Sequence, residues 1–327
     1  MAIRILLTTT SFQDTPGGHH DLLKNTGWEI VTARGPLFEA DTLALVGDVD
    51  GFICGDDAIT RHVLEKARPR LQVLSKYGIG VDKIDVASCT RLGIPLLYTP
   101  GVNHTTVAEH AFLLLLAIEK HLVFHADSVR SGGWQRRTGR ELNGKTIGIV
   151  GLGRIGREVA TRARAFGMRP LAYGSYWDKA FAAREGVARA ATLDELFAAS
   201  DYVSLHTSLR SETRDLVRAE TIARMKPDAI VINCARGEIV NTADMAAALT
   251  SGRLRGYATD VLDEEPPRAG HPLVNLPNCL VTPHVGSRTL ESVQRQATAA
   301  VTNLVRALHG EPPLAQVNPE VPVRRVV

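Results

Sequence analysis

Polar and glycine residues recur just beyond the apolar, strand-like runs in the second half of the chain. They are Gly151, Gly174-Ser175, His206-Thr207, Asn233 to Arg236, Asp260 and His284. In an open parallel sheet, ligands bind at the carboxyl ends of the strands. We therefore expect this set, which contains two histidines, an arginine and a carboxylate, to converge on one crevice.

A glycine motif, Gly151-Leu-Gly153-Arg-Ile-Gly156, follows the apolar run 146–150 and opens a helical pattern that continues to about Phe166. The first two glycines permit a tight turn and the close approach of a pyrophosphate, and the third lets helix and strand pack closely. The helix N-terminus offers unpaired amides to the phosphates. The alternative is a tight strand-to-helix turn without a ligand, but this context favours dinucleotide binding.

The choice between NAD and NADP stays open. A carboxylate about 20 positions beyond the glycine motif would hold the adenosine ribose of NAD and repel the extra phosphate of NADP. The chain has Gly174-Ser175 at that place, and Asp178 comes too late. No adjacent arginine is evident as a phosphate partner, so the sequence predicts NAD or NADP, with NADP tolerated.

Several segments together resemble the D-isomer-specific 2-hydroxyacid dehydrogenases, nearest to their phosphoglycerate dehydrogenase-like branch. Besides the glycine motif they are Asn233-Cys-Ala-Arg-Gly237, Asp260-Val-Leu-Asp-Glu-Glu265-Pro-Pro267, Thr282-Pro-His284-Val-Gly286, Lys76-Tyr-Gly-Ile-Gly80-Val-Asp82 and Thr106-Val-Ala-Glu109-His110. The resemblance runs from about residue 3 to 318. It implies an NAD(P)-dependent oxidoreductase that interconverts a D-2-hydroxy acid and its 2-oxo acid.

The resemblance also implies that Arg236, Glu265 and His284 are the catalytic residues. Hydride transfer to a ketone needs a proton donor for the developing alkoxide, and histidine titrates near neutrality. A neighbouring carboxylate, Glu265, would favour the charged imidazolium. Arg236 can bind the substrate carboxylate bidentately and polarise the adjacent carbonyl.

The glycine motif and the resemblance together give a set of ligand contacts. For the cofactor they are Thr106, Gly151, Gly153, Arg154, Ile155, Gly156, Ser175, His206, Thr207, Cys234, Ala235, Arg236, Asp260, His284 and Gly286. Asp260 is expected to meet the nicotinamide carboxamide. The substrate contacts are Lys76, Ile79, Gly80, Arg236 and His284.

The hydroxy acid itself is not identified: glyoxylate, hydroxypyruvate, phosphohydroxypyruvate and bulkier 2-oxo acids all stay open. Relatives specific for phosphoglycerate place a basic residue near 55–57 to meet the phosphate. This chain offers Asp56 and Asp57 there, which would repel a phosphate, and leaves Lys76 as a candidate anion partner.

The elements that must position these residues alternate between short apolar runs and helical patterns, which is typical of parallel sheets with crossover helices. Five runs precede residue 100 (3–7, 28–32, 51–54, 71–74, 94–98), and six follow (146–150, 169–173, 202–205, 229–232, 256–258, 280–282). We expect an α/β protein of two doubly wound domains. A Rossmann cofactor domain, 101–283, is inserted into a flavodoxin-like substrate domain, 1–100 plus 284–327, with a hinge at the two crossings.

Helical patterns complete this scheme. Apolar residues from Val107 to Leu122 share one face of a long helix. Thr192 and Glu195 have the form of a capping box, and a last helix covers about 290–309.

His121 and His125 fit packing or a subunit contact better than a metal site. His19-His20 is expected to be an exposed turn, and Trp134 either a residue near a dimer interface or part of the core.

Composition excludes several other classes. Hydrophobic residues make up 44% and charged residues 22%, and 38 basic residues stand against 35 acidic ones. We find no dense basic stripe for nucleic acid, no membrane-spanning run and no metal or disulfide pattern among the four cysteines. We expect a cytoplasmic homodimer that acts on a small molecule. The alternative function is an NAD(H)-sensing binding protein of the corepressor type, with little turnover.

Overall fold

The computed structural model describes residues 2–326, which form two compact units. One unit comprises Met1–Asn103 with Arg288–Val327, and the other comprises His104–Ser287. The terminal residues Met1 and Val327, which the expected segments 1–100 and 284–327 include, lie outside the described range. The division places His284 in the second unit, together with Arg236 and Glu265.

Each unit is built around one parallel sheet. The first sheet contains β1 (Arg4–Leu7), β2 (Glu29–Thr32), β3 (Gly51–Cys54), β4 (Val73–Lys76) and β5 (Leu96–Leu97), in the order β2-β1-β3-β4-β5. The second contains β6 (Thr146–Val150), β7 (Arg169–Tyr173), β8 (Ala188–Arg189), β9 (Tyr202–Leu205), β10 (Ile230–Asn233), β11 (Gly256–Thr259) and β12 (Cys279–Val281), in the order β12-β11-β10-β9-β6-β7-β8. These are the flavodoxin-like and Rossmann orders, so the predicted fold class is confirmed.

Helices join the strands. They are α1 (Thr10–Asp14), α2 (Gly18–Lys24), α3 (Glu39–Leu45), α4 (Arg61–Ala67), α5 (Val86–Arg91), α6 (His104–Glu119), α7 (Leu122–Arg130), α8 (Arg154–Ala165), α9 (Lys179–Glu185), α10 (Leu193–Ala199), α11 (Ala219–Ile222), α12 (Thr242–Thr250) and α13 (Leu290–Leu308). Two 3₁₀ turns cover Val46–Asp48 and Gly237–Ile239. Across residues 2–326, no helix is long and apolar enough to cross a membrane.

The first sheet is covered on both faces because its strand side chains alternate between two apolar clusters. Leu6 and Phe52 belong to the cluster beneath α4 and α5, whereas Ile5, Leu7 and Ile53 belong to the cluster that α13 completes. All five side chains are almost fully buried. Burial on both faces is what near-continuous apolar strands require.

The structure differs from the sequence expectations in several local features. The helix with the long apolar face ends at Glu119, because His121 adopts a left-handed backbone conformation (φ 52°) and Leu122 begins a new helix. The two-residue edge strand β8 was not expected. Glu195 accepts a hydrogen bond from Ala191 rather than from Thr192, so the capping box is only half formed.

His19 was expected in an exposed turn, and this expectation is wrong. The residue lies in α2, is 1% exposed, and packs edge-on against the Phe12 ring at 4.7 Å. Its Nε2 bonds the Phe12 carbonyl at 3.1 Å, and burial lowers the pKa of its imidazole. Trp134, by contrast, is 76% exposed and is therefore not a core residue of the chain.

Candidate active site

His284 and Glu265 form a direct pair in the second unit. The Nδ1 of His284 lies 2.7 Å from Oε2 of Glu265, and Oε1 of the same carboxylate accepts the Leu262 amide at 2.8 Å. Both side chains are about one-third exposed. A carboxylate bound at Nδ1 fixes the tautomer and orientation of the imidazole ring, so the pair has the geometry of an oriented acid–base group.

The backbone at His284 is left-handed (φ 51°), and Asp260 holds it in place. The His284 amide donates to the Asp260 carbonyl at 2.9 Å, and the Asp260 carboxylate accepts the amides of Val285 and Gly286 at 2.9 and 2.7 Å. A Cβ at Gly286 would lie only 2.8 Å from Oδ2 of Asp260, so the close approach requires glycine. Asp260 therefore braces the loop that carries His284.

The side chains of Thr282 and His110 complete the surroundings of Asp260. Thr282 donates its hydroxyl to Oδ1 at 2.6 Å, and Nε2 of His110 lies 3.2 Å from Oδ1 and 3.0 Å from the Thr282 hydroxyl. Burial disfavours the charged carboxylate, but the bonds from His110, Thr282 and Val285 outweigh it and hold the pKa of Asp260 below its usual value. The residue expected to meet the nicotinamide is thus already surrounded by protein donors.

Arg236 lies in a turn that packs against the Glu265 loop. Asn233 organises this turn by donating from Nδ2 to the Arg236 carbonyl at 2.8 Å and by accepting the Ala235 amide at 2.9 Å. The next residue, Gly237, approaches the backbone of Leu262 so closely that any Cβ there would collide with it. The Arg236 turn and the Glu265 loop therefore meet, because they follow the neighbouring strands β10 and β11.

The glycine loop has the local geometry that a dinucleotide requires. Gly151 has a φ of 98°, and a Cβ there would lie 2.5 Å from the His206 carbonyl, while a Cβ at Gly156 would collide with the Gly151 carbonyl. A Cβ at Gly153, the N-cap of α8, would instead meet nothing within 4 Å. Two glycines thus serve the turn and the packing, and the third leaves open space at the helix N-terminus. The loop fits the pyrophosphate of NAD or NADP.

The remaining cofactor candidates differ in burial. Burial lowers the pKa of His206 to about 4, so its imidazole is neutral at pH 7, and its Nδ1 has no hydrogen-bond partner among the described residues. Burial raises the pKa of the Cys234 thiol well above its usual value. Because its thiol stays protonated, Cys234 is suited to lining a site and not to nucleophilic chemistry. Thr106 is buried in the first turns of α6, and Thr207 is half-buried.

Sequence reasoning missed Arg157, which contacts the segment that follows Ser175. Its Nη1 donates to Oδ2 of Asp178 at 2.9 Å, and its guanidinium lies 5.1 Å from the centre of the Tyr176 ring. Ser175, at the end of β7, is exposed. Only the three-dimensional fold brings Arg157 to this place, because 21 residues separate it from Asp178.

The substrate candidates of the first unit follow β4. Lys76 is 3% exposed and donates from Nζ to the Gly55 carbonyl at 2.7 Å and to Oδ1 of Asp56 at 2.8 Å. Asp57, expected to face a substrate phosphate, is instead fully buried and accepts the Thr8 hydroxyl at 2.5 Å. Ile79 is 38% exposed, and Gly80 is half-buried.

The second unit thus brings most candidates to one edge of its sheet. Those beyond the C-terminal ends of β6, β7, β9, β10, β11 and β12 are the glycine loop, Ser175, His206-Thr207, the Arg236 turn, Asp260 with Glu265, and His284 with Gly286. Lys76, Ile79 and Gly80 belong to the other unit. Within residues 2–326, no group of three or more His, Cys, Asp or Glu side chains could hold a metal ion.

Comparisons with known proteins agree with this arrangement. The profile of the D-isomer specific 2-hydroxyacid dehydrogenase NAD binding domain matches residues 112–286. A glyoxylate reductase of Pyrococcus furiosus is 41% identical over 289 residues, which cover 85% of each chain. A D-3-phosphoglycerate dehydrogenase of Methanocaldococcus jannaschii is 36% identical over 99% of this chain, which spans 61% of that relative's length.

A solved structure extends the agreement to the whole described fold. The crystal structure of a glyoxylate reductase from Paecilomyes thermophila is 27% identical, has a TM-score of 0.83, and is matched over 98% of this chain and 99% of its own. Profile, sequence and fold comparisons all lead to the family that the spaced motifs indicated. The chain belongs to the D-isomer specific 2-hydroxyacid dehydrogenase family.

Proposed function

We propose that this chain is a cytoplasmic, NAD(P)-dependent oxidoreductase that interconverts a D-2-hydroxy acid and its 2-oxo acid. The observation that carries the proposal is the 2.7 Å pair between His284 and Glu265. This pair lies at the sheet edge that also carries the glycine loop and Arg236. An oriented imidazole, an arginine and a dinucleotide loop are the groups that reversible reduction of a 2-oxo acid requires.

The proposed chemistry divides among these groups. When bound, the dihydronicotinamide supplies the hydride to the carbonyl carbon of the substrate. His284 gives a proton from Nε2 to the carbonyl oxygen as the C=O π bond breaks, and Glu265 at Nδ1 stabilises the charged imidazolium beforehand. In the oxidative direction His284 takes the hydroxyl proton back. Arg236 binds the substrate carboxylate and polarises the carbonyl beside it.

The first unit favours an unphosphorylated substrate in this proposal. Lys76, the cation expected to attract an anion, is already paired with Asp56 and with the Gly55 carbonyl. A substrate phosphate would therefore meet a lysine whose charge Asp56 already compensates, while Asp57 is buried against Thr8 and does not take part. Small 2-oxo acids such as glyoxylate, the substrate named for the Pyrococcus furiosus relative, and hydroxypyruvate fit this environment better than phosphohydroxypyruvate.

Substitution of the three residues tests the proposal. We expect Arg236→Ala, Glu265→Gln and His284→Ala each to lower kcat/KM for 2-oxo acid reduction, with His284→Ala costing about 100-fold or more because the proton donor is lost. The rate is followed as loss of reduced cofactor across a panel of 2-oxo acids. A matched control, His62→Ala, removes an imidazole that is 81% exposed in the other unit and should leave the rate unchanged.

Two outcomes would contradict the proposal. The first is unchanged turnover in all three variants. The second is tight binding of the reduced cofactor without turnover of any 2-oxo acid, which would indicate the NAD(H)-sensing alternative.

A further inference from the structure

The end of β7 lacks the carboxylate that would select NAD. The strand ends at Tyr173 and is followed by Gly174 and Ser175. A Cβ at Gly174 would lie 3.4 Å from the Leu152 amide and 3.5 Å from the Gly151 Cα, so this backbone borders the glycine loop. In dinucleotide-binding domains this position meets the adenosine ribose, and an arginine nearby accommodates a 2′-phosphate.

Arg157 supplies a cation at this position. It lies in the first turns of α8, and its guanidinium is held between Asp178, at 2.9 Å from Nη1, and the rings of Tyr176 and Phe181, at 5.1 and 5.7 Å. Asp178 is fixed in turn, because its other oxygen caps α9 through the Phe181 amide at 3.0 Å. Tyr176 and Asp178, which follow Ser175 in the chain, therefore position the guanidinium.

The hydrogen bonding of Arg157 is incomplete. Its Nε is buried and has no acceptor among the described residues. A buried donor on a cation without an acceptor is unfavourable, and a phosphate presents several acceptor oxygens in a geometry that matches the guanidinium fork. Tyr176, the ring over the guanidinium, is 55% exposed and does not belong to the apolar core of its unit.

The charges around Arg157 also suit an anion. Arg154 lies one turn before Arg157 on α8, Lys179 directly follows Asp178, and both are exposed. Asp178 is the one carboxylate bound to Arg157 in the described structure. Asp178 occupies Nη1 and Nε has no acceptor among the described residues, so the edge that contains Nε is left for an anion. The exposed hydroxyl of Ser175 adds a neutral donor that does not repel a phosphate.

We infer that Arg157 and Ser175 form a binding site for the 2′-phosphate of NADP(H). The inference rests on the dinucleotide-binding part of the proposed function and not on the 2-oxo acid chemistry. It makes Arg157 the residue that discriminates NADP(H) from NAD(H).

Calorimetric titration of the full chain with two fragments tests this site without any turnover. The probes are adenosine 2′,5′-bisphosphate and adenosine 5′-monophosphate, which differ only in the 2′-phosphate. We expect the bisphosphate to bind about tenfold more tightly or better, because an arginine–phosphate pair is charge-assisted and bidentate. Arg157→Gln should bring the ratio of the two affinities close to one and leave the monophosphate affinity nearly unchanged.

Two further variants make the result specific. Arg162→Gln removes another carboxylate-paired arginine of α8, bonded to Glu158 at 2.5 Å, and should leave the ratio unchanged. Ser175→Asp places a carboxylate at an exposed position and should lower the bisphosphate affinity through like-charge repulsion. Equal affinities in the unsubstituted chain, or a ratio that Arg157→Gln leaves intact, would overturn the inference. Since neither probe carries a nicotinamide, this failure would be distinct from a failure of the proposed reaction.

Discussion

His284 depends on residues that do not contact its imidazole. Its left-handed backbone costs about 1–2 kcal/mol for a residue with a Cβ, and the bonds that maintain it come from Asp260. The Asp260 carboxylate in turn is bonded by His110, which lies in α6, and by Thr282, which directly follows β12. The position of the proton donor is therefore set by a buried polar network at the residue scale.

His110 provides a test of this network. His110→Phe removes the donor to Asp260, and losing a hydrogen bond to a charged group costs about 1.5–3 kcal/mol, so we expect kcat to fall about tenfold or more with a smaller change in KM. His110→Gln keeps an N–H donor on a side chain of similar length and should restore most of kcat. Steady-state kinetics with a saturating cofactor gives both values.

A purely structural role for His110 would give another pattern. Both variants would then unfold at lower temperature, yet kcat would stay at the level of the unsubstituted chain. That pattern, or a Gln variant as slow as the Phe variant, would contradict the role of His110 in positioning His284.

Residues in local motifs could be predicted from the sequence, and residues that act through tertiary contacts could not. The glycine loop was found because Gly151 and Gly156 satisfy steric rules within one turn. Arg157 has no such local signal, and the segment that contains His110 contributed to the resemblance without indicating its partner, because Asp178 and Asp260 reach these side chains only through the fold. For the same reason, burial of His19 could not be read from a sequence rich in turn residues.

Strands were predicted best where apolar runs end abruptly at turn residues. The expected bounds of β3, β6, β7 and β9 agree with the structure, since glycine or histidine follows each of them directly. The sequence did not predict β8, because this strand has only two residues, both exposed, and pairs at the edge of the sheet. The end of α6 at Glu119 was not predicted, because hydrophobic periodicity does not reveal a single residue with a left-handed backbone such as His121.

Helix α7 exposes apolar surface without burying any of its residues. Leu122, Val123 and Val129 are 54%, 49% and 56% exposed, and Trp134 just beyond the helix is 76% exposed. Exposed apolar groups concentrated on one element are typical of a protein–protein contact. We propose that α7 and Trp134 contact a second copy of the chain, which agrees with the homodimer expected from the family.

Charge substitutions on α7 test the dimer. We expect the unsubstituted chain to have about twice its 35.4 kDa mass in light-scattering chromatography. Val129→Glu combined with Trp134→Glu should shift it to the monomer, because burying charges of the same sign at an apolar contact is unfavourable. Phe38→Glu, at a residue 65% exposed in the other unit, is the matched control and should leave the mass unchanged. A monomeric unsubstituted chain, or a dimer that survives the substitutions at Val129 and Trp134, would contradict the proposal.

The residues proposed to take part in the chemistry are divided unequally between the two units. The second unit carries the dinucleotide loop, Arg236, Glu265 and His284, all at one edge of its sheet. The first unit carries Lys76 and Ile79 after β4. The alternation of strands and helices was enough to predict two parallel, doubly wound sheets, whereas the Rossmann and flavodoxin-like assignments came with the family resemblance. The substrate could not be predicted, because the loops that select it have no strand or helix pattern.

The measurement that tests the account most directly is the stereochemistry of the product. The full chain is incubated with hydroxypyruvate and, separately, NADH and NADPH, and the glycerate formed is resolved by chiral chromatography. The account predicts that reduced cofactor disappears in step with the appearance of D-glycerate alone, and that His284→Ala slows both by about 100-fold or more. Formation of L-glycerate, or turnover that persists unchanged in His284→Ala, would contradict it.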